Sequence, residues 1–314
     1  MNFIKLIRWQ NLIIIALTQY FTRLFLIEPF YTKQHITLQM NNADFFIFVL
    51  SVVLIAGAGY IINDIFDIQM DRINKPGKMI IDNLIPEKKA YLIYYIMNGI
   101  AAICGLYLGL KVGSLSLGLI FIILIAVFYF YSLKYKRSFL IGNFVIAFLA
   151  AFLLILVWLF EFFAIRKNGF VFTEGIQVYW IITYFVLAYS LFAFIITLIR
   201  EFVKDIEDME GDSKWGCTTL PVVIGVKRTK QIAAGFAFLG ISIIVFFQIY
   251  LQKLNLGYFA GILMIMVQLP FAYLGIKILT AKDKEDFHFV SNLSKIIMVI
   301  GVLTMFAVYY SLQS

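Results

Sequence analysis

The stretch Phe45-Phe46-Ile47-Phe48-Val49-Leu50-Ser51-Val52-Val53-Leu54-Ile55-Ala56-Gly57-Ala58-Gly59-Tyr60-Ile61-Ile62-Asn63-Asp64 decides the fold. No charge interrupts it before Asp64, and roughly 20 such residues make a helix long enough to cross a hydrocarbon layer about 30 Å thick. Eight further runs share its character. The nine lie near residues 10–27, 45–65, 90–110, 115–133, 139–160, 178–199, 231–251, 256–279 and 292–312, with Pro270 predicting a kink in the eighth. The chain is 62% hydrophobic and 14% charged, more apolar side chain than a soluble domain hides, so part of its solvent is lipid. Between the runs no polar segment is long enough for a soluble domain, and residues 1–314 read as one membrane domain. Lys5 and Arg8 ahead of an apolar run have the shape of a signal peptide. No small-residue cleavage site follows before Arg23, so the segment reads as a retained first helix.

Orientation follows from the basic residues. With a cytoplasmic N-terminus, Arg23, Lys33, Lys111, Arg166, Lys167 and Lys253 fall outside and the other twenty of the 26 fall inside, which places the C-terminus outside. The same distribution accounts for the net charge of +8 without a nucleic-acid partner, which would need a clustered basic face. Cys104 lies in an apolar run and Cys217 in a polar stretch, so no disulfide is expected between them.

Half of the 18 acidic residues occupy two short segments, Asn63 to Asp71 and Glu201 to Asp212. In each, aspartates recur at i, i+3 and i+7: Asp64, Asp67, Asp71 and Asp205, Asp208, Asp212. On a helix that spacing gathers each trio within about 60° of one face. Both follow spans separated by an even number of crossings, so both emerge on the cytoplasmic side and can face each other. Converging carboxylates resist ionising unless a cation neutralises them. Hard oxygen ligands select magnesium or calcium, and magnesium, which bridges carboxylates to phosphates, suits a diphosphate. Arg72, Lys75 and Lys78 follow the first trio; Arg200 and Lys204 border the second. A bare cation site has little use for such neighbours, whereas a site that grips phosphate oxygens does. A divalent-cation transporter is the rival reading, but its carboxylates belong near mid-membrane rather than at helix ends.

Asn63, Asp64, Asp67 and Asp71 resemble the first motif of the UbiA superfamily of intramembrane prenyltransferases, NDxxDxxxD, at every position. Lys204-Asp205-Ile206-Glu207-Asp208-Met209-Glu210-Gly211-Asp212, followed by Gly216, Thr219, Leu220 and Pro221, is similar to the second motif of the branch that makes digeranylgeranylglyceryl phosphate. Further similarities are Arg8 with Asn11, Tyr131-Ser132, Lys136-Arg137 and Gly142-Asn143. The resemblance spans nearly the whole chain and implies an all-α polytopic fold of nine helices around a central apolar pocket. It implies two magnesium ions on the six aspartates and a prenyl diphosphate contacted by Asn11, Asn63, Arg72, Lys78, Tyr131, Lys136, Arg137, Asn143 and Lys204. The acceptor it implies is a lipid such as geranylgeranylglyceryl phosphate, with an aromatic or quinone-precursor acceptor as the alternative. Two departures stand out. Trp9-Gln10 replaces a common proline after the arginine, and Lys78-Met79 replaces a common Arg-Pro; lysine keeps the charge without the bidentate fork.

In such a site the allylic C–O bond ionises once the leaving diphosphate is neutralised, which makes the protein's task electrostatic. Apolar helices keep water from the carbocation, and aromatic faces can stabilise it. Glu207 and a diphosphate oxygen are the candidate proton acceptors. His35 and His288 read as surface residues, His288 being remote in sequence from both motifs.

Overall fold

The computed structural model describes residues 2–70 and 80–313. Among them nine helices are long and apolar enough to span a membrane: α1 (Trp9–Thr32), α2 (Asn42–Phe66), α3 (Glu87–Lys111), α4 (Leu115–Leu133), α5 (Ile141–Arg166), α6 (Gly169–Lys214), α7 (Val226–Lys253), α8 (Gly257–Thr280) and α9 (Lys284–Leu312). No strand occurs among the described residues beyond an isolated bridge between Ile81 and Ile85. Every predicted apolar run is a helix. The protein is an all-α, multi-pass integral membrane protein, and its large exposed side chains, such as Ile103, Phe246 and Tyr258, are apolar surface suited to lipid.

Two helices are not regular. In α1 the hydrogen bonding widens to π spacing over Thr22–Ile27, and in α8 over Met264–Gln268. Each segment runs directly into a proline-bearing turn, Glu28-Pro29 and Leu269-Pro270. A proline offers no N–H and its ring presses on the carbonyl one turn back, and a wider turn relieves both problems. The sequence predicts the irregularity at Pro270; the equivalent one ahead of Pro29 is a finding of the structure.

By internal contacts the chain forms two compact units. The first comprises Met1–Tyr20, Leu38–Lys136 and Leu159–Glu174. Here α2, α3 and α4 pack together around Ala58, Ile61, Ile62, Ile65, Tyr94 and Met97, while Phe48, Phe121 and Phe160 meet ring to ring at 5.0–6.0 Å. Small residues allow the helices to approach. A Cβ on Gly109 of α3 would stand 2.7 Å from the backbone nitrogen of Gly118 in α4.

The second unit comprises Phe21–Thr37, Arg137–Trp158 and Gly175–Ser314. Its organising element is α6, whose 46 residues extend about 69 Å, roughly twice the hydrocarbon thickness. Val178, Ile182, Phe185 and Tyr189 recur at helical spacing along its buried stripe. Several polar side chains in this unit pair with one another. Gln248 and Gln268 exchange amide hydrogen bonds at 3.0 and 3.2 Å, and the hydroxyls of Tyr189 and Thr304 lie 2.9 Å apart. An apolar cavity lies between Tyr189, Phe192, Ile244, Phe247, Val267 and Phe271.

Candidate active site

The first acidic segment leaves the end of α2. That helix stops at Phe66, and Asp67 caps it at φ −94° and ψ −3°, donating its N–H to the carbonyl of Asn63. Asp64 therefore sits on α2 while Asp67 occupies the turn that ends it. Asp71, Arg72 and Lys78 lie outside the described residues.

Around Asp64 and Asp67 the first unit assembles a polar cluster. Asn63 donates to Asp67 at 3.1 Å and accepts from the ammonium of Lys136 at 3.1 Å, and the same ammonium pairs with Asp67. Lys136 reaches them from the 3-10 turn Tyr135–Arg137 that follows α4, through a side chain only 11% exposed. On the other side Arg8 donates to Asp64 at 2.8 Å. Arg8 stands between the short helix Asn2–Leu6 and α1, and its left-handed backbone (φ 52°) turns the chain there. The Asn11 amide donates to the hydroxyl of Tyr60 at 3.1 Å. Half-buried Tyr131 lies near the end of α4 beside buried Ser132.

The second trio rides entirely on α6, as its spacing predicts. Asp205 accepts a 2.7 Å hydrogen bond from Asn143, a buried residue at the start of α5. Asp212 accepts from the hydroxyl of Thr219 at 3.2 Å, and Asp208 is exposed. Just beyond, α6 ends in a Schellman turn: Gly216 takes φ 68°, Cys217 donates back to the carbonyl of Asp212, and Gly216 to that of Ser213. The chain then folds against Arg137, whose carbonyl receives both the N–H and the hydroxyl of Thr218. Lys204 bonds back to Glu201 at 3.6 Å, and Arg200 pairs with the same carboxylate at 2.9 Å. His288 is a surface residue, as its sequence context predicts. His288, distant in sequence, opens α9 directly beside the second motif, with its Nδ1 3.1 Å from Glu207 Oε1.

Among the described residues no three His, Cys, Asp or Glu side chains are gathered closely enough to hold a metal. The donor chemistry nevertheless fits magnesium. The candidate donors are carboxylate oxygens, and in the first cluster two of the carboxylates pair with protein cations, Arg8 and Lys136, whose charge a divalent ion could replace. In the second, neutral donors from Asn143 and Thr219 orient two of the carboxylates.

The model of the UbiA prenyltransferase family matches residues 35–293. A digeranylgeranylglyceryl phosphate synthase of Methanobrevibacter smithii is 32% identical over 255 residues, 81% of this chain and 83% of that protein. A solved structure described as digeranylgeranylglyceryl phosphate synthase in membranes matches with a TM-score of 0.64 at 25% identity, across 98% of this chain and 97% of that one. The structure of a UbiA homolog from Archaeoglobus fulgidus bound to GPP and Mg2+ shares the fold, with a TM-score of 0.59 at 13% identity over 97% of this chain and 99% of that one.

Fold and family match together define a multi-pass helical membrane enzyme. The chain belongs to the UbiA prenyltransferase family and is a prenyltransferase.

Proposed function

We propose that the chain transfers a geranylgeranyl group from geranylgeranyl diphosphate to the free hydroxyl of a lipidic glyceryl phosphate such as geranylgeranylglyceryl phosphate. The observation that carries the acceptor is the 32% identity over most of both chains with a synthase of that name. The cation-transporter alternative falls with membership of an enzyme family.

Asp64, Asp67 and Asp71 would hold one magnesium ion and Asp205, Asp208 and Asp212 a second. Magnesium supplies Lewis-acid neutralisation of the diphosphate and a template for its oxygens. Lys136 and Arg8, which neutralise Asp67 and Asp64, turn their donors to phosphate oxygens, together with Arg72, Lys78, Arg137 and Lys204. Asn63 and Asn143 orient Asp67 and Asp205, and Asn11 and Tyr131 line the site. With its charge balanced, the diphosphate leaves and takes the bonding pair of the C–O bond. The acceptor oxygen attacks the allylic carbon, and its proton passes to the departing diphosphate. Surrounding apolar helices keep water from competing for the carbocation. Both motifs and the N-terminus face the cytoplasm, and the C-terminus lies outside, in keeping with the basic-residue distribution.

The test is transfer by purified, detergent-solubilised protein. It uses labelled geranylgeranyl diphosphate and a panel of glyceryl phosphate and aromatic acceptors, with magnesium or with chelator. Magnesium-dependent product with the glyceryl phosphate, lost in Asp67→Ala and in Asp208→Ala, is the expected result. Product with an aromatic acceptor alone would overturn the acceptor assignment, and no product with any acceptor would overturn the activity.

A further inference from the structure

Tyr60 belongs to no motif read from the sequence, yet it stands one turn before Asp64 on α2 at the centre of the Arg8 contacts. The guanidinium of Arg8 lies 4.8 Å from the centroid of the Tyr60 ring while it donates to Asp64. Asn11, one turn into α1, donates to the Tyr60 hydroxyl and so fixes the far end of the same ring. Arg8 itself is 43% exposed, and an exposed ion pair alone holds a long side chain weakly. A ring face adds what the carboxylate cannot. It attracts the cation without bonding its N–H groups and without cancelling its charge, so the donors that Asp64 does not engage stay available to a phosphate. The hold also persists when Asp64 takes another partner.

From this arrangement we infer that Tyr60 is a positioning residue for the donor diphosphate: it holds the Arg8 guanidinium at the end of α2 by its ring face, and Asn11 holds the ring. The inference rests on the donor site proposed above. It assigns Asn11 a role through Tyr60 rather than through the substrate. It also makes Arg8 a preset donor instead of a side chain recruited on binding.

A double-mutant cycle tests it, read both as KM for each substrate and as equilibrium binding of geranylgeranyl S-thiolodiphosphate, which does not turn over. Tyr60→Leu is expected to weaken the diphosphate about four-fold, the cation–π loss converted to affinity, with the acceptor KM unchanged. Tyr60→Phe keeps the ring and is expected to stay within about two-fold of the native protein. In an Arg8→Ala background, Tyr60→Leu is expected to cost nothing further, because its effect runs through Arg8. Equal losses in both backgrounds would show a direct or merely structural role and overturn the inference, as would a change confined to the acceptor KM or to thermal stability. If Tyr60→Leu fails to fold, Tyr60→Met serves the same cycle. A protein that binds the thiolodiphosphate with this coupling but transfers to no acceptor would sink the proposed function and leave the inference standing.

Discussion

Replacing Lys136 by methionine probes the claim that protein cations hold the first aspartate cluster until a metal does. The substitution keeps length and removes only the charge and its donors, so Asp67 loses its ammonium while Asn63 still donates at 3.1 Å. Stripping one partner from a fully buried ion pair costs about 3–5 kcal/mol. These side chains retain 11% and 18% exposure and one hydrogen bond survives, so the cost here is about 2 kcal/mol. For a chain of this size that corresponds to a melting temperature lower by about 4 °C in metal-free detergent solution. The assay is thermal unfolding followed with a thiol-reactive fluorophore on buried Cys217, in a Cys104→Ala background. Adding magnesium alone supplies the missing charge at Asp67 and shrinks the gap to about 1 °C or less. Coincident metal-free melts, or a gap that magnesium leaves untouched, would refute the reasoning.

Asn143→Ala removes the 2.7 Å hydrogen bond that orients Asp205, so the magnesium concentration giving half-maximal transfer rises about ten-fold while saturating magnesium restores most of the rate. A magnesium titration of activity reads it. Gly109→Val drives side-chain atoms into the backbone of Gly118 and lowers stability by about 1–3 kcal/mol, seen as a lower melting temperature; Gly235→Ala, with open space around it, leaves the melt unchanged. Single cysteines placed at Lys284 and at Lys253 react with an impermeant thiol reagent from opposite sides of sealed vesicles, Lys284 from the cytoplasmic side.

Periodicity and composition carried the helices, because in lipid each span must satisfy its own backbone and needs no partner to be recognised. The second trio was legible for the same reason: Asp205, Asp208 and Asp212 lie on uninterrupted α6. The break at Asp67 was not, since nothing between Asp64 and Asp67 is a helix breaker and the turn is held by contacts of Asn63, Asp67 and Lys136. Long-range side-chain meetings escaped altogether. His288 touches Glu207 across 81 residues, and Tyr60 meets Arg8 and Asn11 across about fifty, with no spacing rule to announce either. A tyrosine among apolar neighbours read as one of eighteen such rings, and only its contacts distinguish it. The widened turn ahead of Pro29 was not legible, because Pro29 follows Glu28 beyond the first apolar run, whereas Pro270 lies inside the eighth.

The length of α6 sets a mechanical tolerance. From Gly175 to Asp208 the helix is a lever of about 50 Å, and a tilt of about 3° at its base moves the far end by about 2.6 Å. That displacement exceeds a magnesium–oxygen bond of about 2.1 Å. The packing of Val178, Ile182 and Phe185, far from any charged group of the second motif, thus acts as the bearing that keeps its carboxylates in register. Truncations in that bearing are heard at Asp208 as a loss of aim before they are heard anywhere as a loss of fold.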